Sequence, residues 1–389
     1  MRIPSAYRPQ YARAARLNPE LAEEYIRHTM LADPPADAAV AELGSFKVSE
    51  ANRFIQAGMD RDHRTLGSAP PALRDFFEAL ETAPPWWDPR ASWLGCKAFH
   101  EYSDLFIPAF FVTTVQNAAT LIAKSFHATG RVNSLFGPRR IRQNTRHFIE
   151  IMLPGALDRR GDGWKLSVRI RLVHAQVRQL IHGSGRWDES VFGVPLSSAH
   201  MGVASANFSA TMLRQAARLG AVMDRATRDS FMQIWRYASW LIGTPESLLF
   251  EADEEKTHEL YRIARACEPP PGEESVVIAK ALFEALPRIA GKSDPEEVKA
   301  MRDQAYRVAR ALIGDEMADQ LELPKSRVRG VLAMMRSTRR LVRVQHQLIP
   351  SVAMAWRSSA FAFLLDAALL DDLSYRLPDH LDAEKATPW

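Results

Sequence analysis

The sequence predicts an all-α protein, one large helical domain. Three observations carry this expectation. Alternating apolar–polar β patterns are scarce, stripes of period 3.6 recur along the chain, and proline pairs cut it into helix-sized pieces. Pro34 with Pro35, Pro70 with Pro71 and Pro84 with Pro85 punctuate the first part. Leu73, Phe76, Phe77 and Leu80 form one apolar stripe, which stops at Pro84-Pro85-Trp86-Trp87. A turn rich in glycine and charge over residues 158–163 separates two central helices. Glu268-Pro269-Pro270-Pro271-Gly272 is the next clear break, and Val276, Ala279, Leu282, Phe283 and Leu286 then make another helical face. There is no internal repeat and no low-complexity tract.

With 389 residues, 47% of them hydrophobic and 25% charged, the chain can bury a large core and still enclose a cavity. The net charge of +4 is too weak to argue for nucleic acid, and none is expected as a partner. Cys96 and Cys267 are far apart and form no CxxC pair, so reduced thiols are expected rather than a zinc site or a disulfide framework. Residues 1–28 are polar and carry no apolar export segment, which leads to the expectation of a cytoplasmic protein. The most apolar stretches, 106–126 and 351–370, are interrupted by Pro108, Gln116, Asn117 and Lys124 and by Arg357 and Asp366. They read as buried or interfacial helices rather than membrane spans. Residues 325–343 carry Lys325, Arg327, Arg329, Arg336, Arg339, Arg340 and Arg343. This is a solvated helix face or a peripheral contact with an anionic membrane surface.

Few residues are placed for chemistry. In residues 165–182, Leu166, Ile170, Val173, His174, Val177 and Ile181 share one helical face, while Arg169, Arg171, Gln176, Arg178 and Gln179 mostly lie away from it. His174 therefore points inward, where its imidazole needs either a hydrogen-bond partner or a metal. In residues 140–152, Ile141, Thr145, Phe148 and Met152 share a face, so Thr145 is an inward hydroxyl with Arg142 as its helical neighbour. Such a pair can donate to bound oxygen or to a carboxylate. Alternatively, Thr145 bonds its own helix and Arg142 reaches water. His147 lies off the Thr145 face, and His182 precedes Gly183 at a helix end, so both read as surface or capping residues. His200 precedes the stripe of Met201, Ala204, Phe208 and Met212 and reads as lying near an N-cap. HExxH, GxSxG, P-loop and pre-helical GxGxxG motifs are missing. The one ExxH, Glu255 to His258, lacks the second pair that a di-iron bundle requires.

The segment Arg169-Ile170-Arg171-Leu172-Val173-His174-Ala175-Gln176-Val177-Arg178 resembles the signature helix of one haem oxygenase family. That family contains the latex-clearing proteins (rubber oxygenases) and the ER-bound oxygenase of mycophenolic acid biosynthesis. Trp187-Asp188, Gly193-Val194-Pro195, residues 201–208, and Ile234-Trp235-Arg236-Tyr237 followed by Gly243 and by Leu248-Leu249 are similar to it in the same order. So are Ala32-Asp33-Pro34 with Ala36-Asp37-Ala38, Ala128-Thr129-Gly130-Arg131, and Ala318-Asp319 through Leu323-Pro324. The resemblance covers roughly residues 30–325. That organises the chain as an N-terminal extension over 1–29, a haem-binding oxygenase-like helical domain over 30–325, and a basic then apolar helical extension over 326–389 packed on the same domain.

The resemblance implies a helical fold enclosing b-type haem, with His174 as the proximal iron ligand. Thr145 would stand on the distal helix and orient bound oxygen, beside Asn144. Arg142 and Arg178 would lie toward the cofactor. It also implies an oxygenase acting with dioxygen on a small hydrophobic substrate, an isoprenoid or another unsaturated molecule. A haem peroxidase or tailoring enzyme, and a non-catalytic haem-binding or sensor protein, are the alternatives.

The chain departs from the pattern at three points. Asn144 stands where latex-clearing proteins carry a lysine. Ile141, flanked by Arg140 and Arg142, stands where they carry an arginine. No Asp or Glu occurs between Asp104 and Glu150, where they use a glutamate. Rubber is therefore not the expected substrate.

Overall fold

The structure is a computed structural model that describes residues 1–128, 137–348 and Leu377; within these, the side chains of 137–142, 343, 346 and 347 are left undescribed. All regular elements among the described residues are helices. In chain order they are α1 (Arg8–Leu17), α2 (Pro19–His28), α3 (Pro34–Leu43), α4 (Val48–Asp60), α5 (His63–Leu66), α6 (Pro71–Glu78), α7 (Trp93–Glu101), α8 (Ser103–Ala118), α9 (Ile122–Ala128) and α10 (Gly137–Ile151). There follow α11 (Asp162–Gly183), α12 (Glu189–Phe192), α13 (Ser198–Ala206), α14 (Met212–Leu219), α15 (Arg225–Leu241), α16 (Glu254–Cys267), α17 (Glu273–Ile289), α18 (Pro295–Ile313), α19 (Asp315–Gln320) and α20 (Val331–Leu348).

Two of the proline pairs act as helix starts. Pro34 opens α3 and Pro71 opens α6, where a missing N–H costs nothing because the first-turn donors are unpaired anyway. Side-chain caps set other starts. Asn18 accepts from Leu21 N, Asp224 from Thr227 N, and Asp294 from Glu296 N and Glu297 N.

Two apolar clusters form the core, and α11 runs between them. Trp164, Val168, Leu172 and Ala175 belong to the larger cluster, and Val177 and Ile181 to the smaller. The smaller one includes Tyr7 and Ala14 of the N-terminal segment, so residues 1–29 pack on the domain, against α13 and α16. The 106–126 stretch becomes α8 and α9, bent by 79°. Among the described residues no single helix is long and apolar enough to cross a membrane. The bend is braced from α16 and the residue that follows it. Arg265 donates to Ala119 O at 2.5 Å, and Glu268 accepts from Leu121 N at 2.7 Å. Cys96 and Cys267 are buried free thiols. Residues 351–370, expected as a helix, lie outside the described residues.

The arginine side of α11 is not solvated; it is the seat of α3. Arg171 makes a two-point ion pair with Asp33, at 2.6 and 2.8 Å, and Arg178 bonds Asp37 at 2.8 Å and Leu196 O at 3.1 Å. Fork-to-carboxylate pairs of this kind fix orientation as well as supplying attraction. Gly243 packs directly against the first pair. Its φ is +95°, and a Cβ there would fall 2.4 Å from Asp33 Oδ2 and 2.8 Å from Arg171 Nε. Gly193, at φ +72°, meets Thr29 O in the same way, and Trp187 Nε1 donates to Gly193 O at 2.7 Å.

Candidate functional site

The helices line a part-open apolar cavity of about 220 Å³. α8 contributes Phe110, Thr114 and Asn117; α9 contributes Ile122 and Phe126; α13 contributes Met201, Ala204 and Ser205. α15 contributes Trp235 and Ser239, and α17 contributes Ile278, Ala281 and Leu282. Ile170 and His174 of α11 close one side. The spacing that made His174 inward is thus realised, because i and i+4 on this helix look into the same space.

Aromatic rings stiffen one wall. Phe110 stacks on Phe148 with centroids 4.6 Å apart and on Phe208 at 5.2 Å, and Phe208 stacks on Trp235 at 5.6 Å. Phe208 lies in a π-helical turn, Asn207–Thr211, between α13 and α14. Such turns are rare and frequent at functional sites. This one carries buried Asn207, whose Nδ2 donates to Thr113 O at 2.8 Å and to Asn117 Oδ1 at 2.9 Å.

The distal-type helix α10 is turned differently from the sequence expectation. Its cavity-lining side chains among the described residues are Asn144 and His147, three apart; Thr145 is half-buried and is not part of the lining. The reason is packing. The stripe that contains Phe148 and Met152 faces the phenylalanine core, where Phe148 also meets Phe99 at 5.0 Å, and the cavity lies beside that core rather than under the stripe.

His147 is correspondingly not a surface residue. It is buried, and its Nε2 lies 2.9 Å from Ser167 Oγ. Since Ser167 gives its hydroxyl proton to Gly163 O, it accepts from His147, which fixes the Nε2–H tautomer. Burial pushes the His147 imidazole down to about 4, so it is neutral at ordinary pH.

The side chain of Arg142, the second expected catalytic residue, lies outside the described residues, as do Arg140 and Ile141 and most of the 128–131 motif. Arg178 is placed in the α3 ion pair and not on the cavity wall. His182 is exposed beside Glu189 at 3.2 Å, as a helix-end residue.

His200 does begin α13 as expected, on the Ser197 cap, yet it is fully buried. It lies 3.2 Å from Tyr7 Oη and 3.7 Å from Glu268, which also accepts from Tyr25 Oη at 2.7 Å. This polar knot sits in the smaller core. Burial, then the Glu268 charge, holds both tyrosines well above their ordinary ionisation. His258 reaches Thr211 at 3.3 Å, and no group of three or more His, Cys, Asp or Glu suited to a metal occurs among the described residues.

Asn117 and His147 are the lining residues that periodicity missed. Asn117 had a visible signal as a polar residue interrupting an apolar run, whereas His147 lies off the apolar face. That signal is ambiguous, since such residues are as often capping or solvated.

Residues 97–344 match the catalytic domain described as ER-bound oxygenase mpaB/B′/rubber oxygenase, well over half of the chain. The chain is 23% identical over 221 residues to a rubber oxygenase from Streptomyces sp. (strain K30), covering 55% of this chain and 53% of that protein, so it spans about half the length of this curated relative. Its fold matches a latex-clearing protein structure in the closed state with a TM-score of 0.70 at 19% identity, over 90% of this chain and 95% of the other.

Proposed function

Because this chain belongs to the ER-bound oxygenase mpaB/B′ and rubber oxygenase family, we propose that it is a haem b-dependent oxygenase acting on a small apolar molecule, with His174 as the iron ligand. The observation that carries the reading is His174 on the wall of an apolar, aromatic-sided pocket. The donor set suits the group. The lining carries two imidazoles, His174 and His147, the latter engaged by Ser167 through Nε2, and no carboxylate, which suits a metal that arrives in its own macrocycle better than a non-haem iron that takes two histidines and a carboxylate from the protein. When bound, haem supplies dioxygen binding and the redox chemistry.

The chain's own residues bind, orient and exclude water. The Asp33–Arg171 and Asp37–Arg178 pairs hold α11, and hence the His174 ring, in one rotational setting. Phe110, Phe208 and Trp235 give the apolar ligand its binding surface and keep water out. His147, neutral and fixed by Ser167, and Asn144 are the polar groups that α10 brings to the cavity. Asn144 offers no amine to a metal, which separates this site from one with a distal lysine. Thr145, half-buried on the same helix, and Arg142, three residues before it in sequence, would add polar character at this end of α10.

The test is oxygen uptake by hemin-loaded protein. Uptake dependent on a C15 isoprenoid alcohol such as farnesol, none with latex particles, and none in His174→Ala are the expected results. Equal background uptake with and without isoprenoid would sink the enzyme reading and leave a haem-binding protein.

A further inference from the structure

The Asn207–Asn117 contact fixes which end of an amide faces the cavity. Thr113 O is a backbone carbonyl and can only accept, so the group of Asn207 within 2.8 Å of it is the NH2 end. The second hydrogen of that NH2 goes to Asn117, which must therefore turn its Oδ1 toward Asn207 at 2.9 Å. Asn117 lines the cavity, so with its oxygen engaged it has its two amide N–H groups to offer there. The arrangement is rigid: Asn207 is fully buried in the π-helical turn, and its own Oδ1 is buried without a partner among the described residues. A buried orphan acceptor is uncommon, and here it accompanies an amide held in one orientation. Two neighbouring hydroxyls are already engaged. Thr114 donates to Phe110 O, and Ser205 donates to Ser239.

We propose that the cavity takes an apolar molecule bearing a carbonyl oxygen, which the Asn117 amide N–H holds. This rests on the apolar-ligand reading above and narrows it: the preferred ligand is an oxygenated lipid-like molecule, not a bare hydrocarbon. A site built with a fixed donor discriminates against a ligand that leaves the donor unpaired.

The test needs no haem. Calorimetric titration of the apo full-length chain with 2-undecanone and with 1-undecene compares ligands of equal chain length. The ketone should bind about three- to tenfold more tightly, the net worth of one hydrogen bond in a buried site. Asn117→Leu should erase that preference. Asn117→Asp keeps the acceptor for Asn207 but replaces the N–H groups with an oxygen, and should turn the preference against the ketone. Equal affinities in the wild type, or a ketone preference that survives both substitutions, would overturn the proposal while the apolar cavity stands. Binding of neither ligand would remove both.

Discussion

Stability should fall steeply as the solution is acidified from neutrality, and His147 should carry a large share of the loss. The folded imidazole titrates at about 4 because it is buried, against an unfolded value near 6.5. Between these values the unfolded chain binds a proton that the folded chain refuses, so stability rises with pH across the window and is lost as pH falls through it. For these two values, the His147 contribution at pH 5 is about 2 kcal/mol below that at pH 8, approaching about 3 kcal/mol near pH 4. His258, also pushed down to about 4, and buried His200, pushed down by desolvation, act in the same direction. Urea unfolding at a series of pH values would measure the slope. His147→Asn preserves a polar partner for Ser167 without a titrating ring and should flatten the profile by its share. A variant profile parallel to wild type between pH 7 and 5 would show that His147 is solvated and that its placement inside the cavity wall is wrong.

Removing one partner of the Asp33–Arg171 pair, largely shielded from water and clamped under Gly243, should destabilise by about 3 kcal/mol, and Asp33→Asn/Arg171→Met together should cost clearly less than the two singles summed. Thermal or urea unfolding checks this, and strict additivity would mean that the pair does not hold α3 to α11. α20 and the residues before it expose Lys325, Arg327, Arg329, Arg336 and Arg340 beside Met334, Leu341 and Val344, with no acidic residue from 325 to 348. The chain should co-sediment with phosphatidylserine vesicles and not with neutral ones, weakening about fivefold for each cation replaced by glutamine; no sedimentation at low salt would leave this as an ordinary solvated face.

The helical class was legible because proline breaks and 3.6-residue stripes are local signals, and α6, α11 and α17 follow them. The inward placement of His174 was legible for the same reason. What periodicity could not resolve is which side of a stripe borders a cavity and which borders solid core. On α10 the stripe of Phe148 and Met152 marks the core, so Thr145 was assigned to the cavity although Asn144 and His147 face it. The α11 arginines look like a solvent face in one dimension because their partners, Asp33 and Asp37, are about 140 residues away in sequence. Several ordered motifs that carried the resemblance prove to be such joints. Asp33, Asp37, Gly193 and Gly243 all fasten segments around α11, and Asp319 and Leu323 O receive buried Arg310. The Asn207–Asn117 amide pair depends on a π-helical turn that no residue pattern announces.

The most direct test of the account is addition of hemin to the purified apo chain, followed by absorption and pyridine haemochrome spectra, for wild type, His174→Ala and His147→Asn. The account predicts stoichiometric haem b with a shifted Soret band in wild type and in His147→Asn, and a lost or strongly altered band in His174→Ala. A wild-type chain that leaves the hemin spectrum unchanged, or a His174→Ala spectrum identical to wild type, would contradict it.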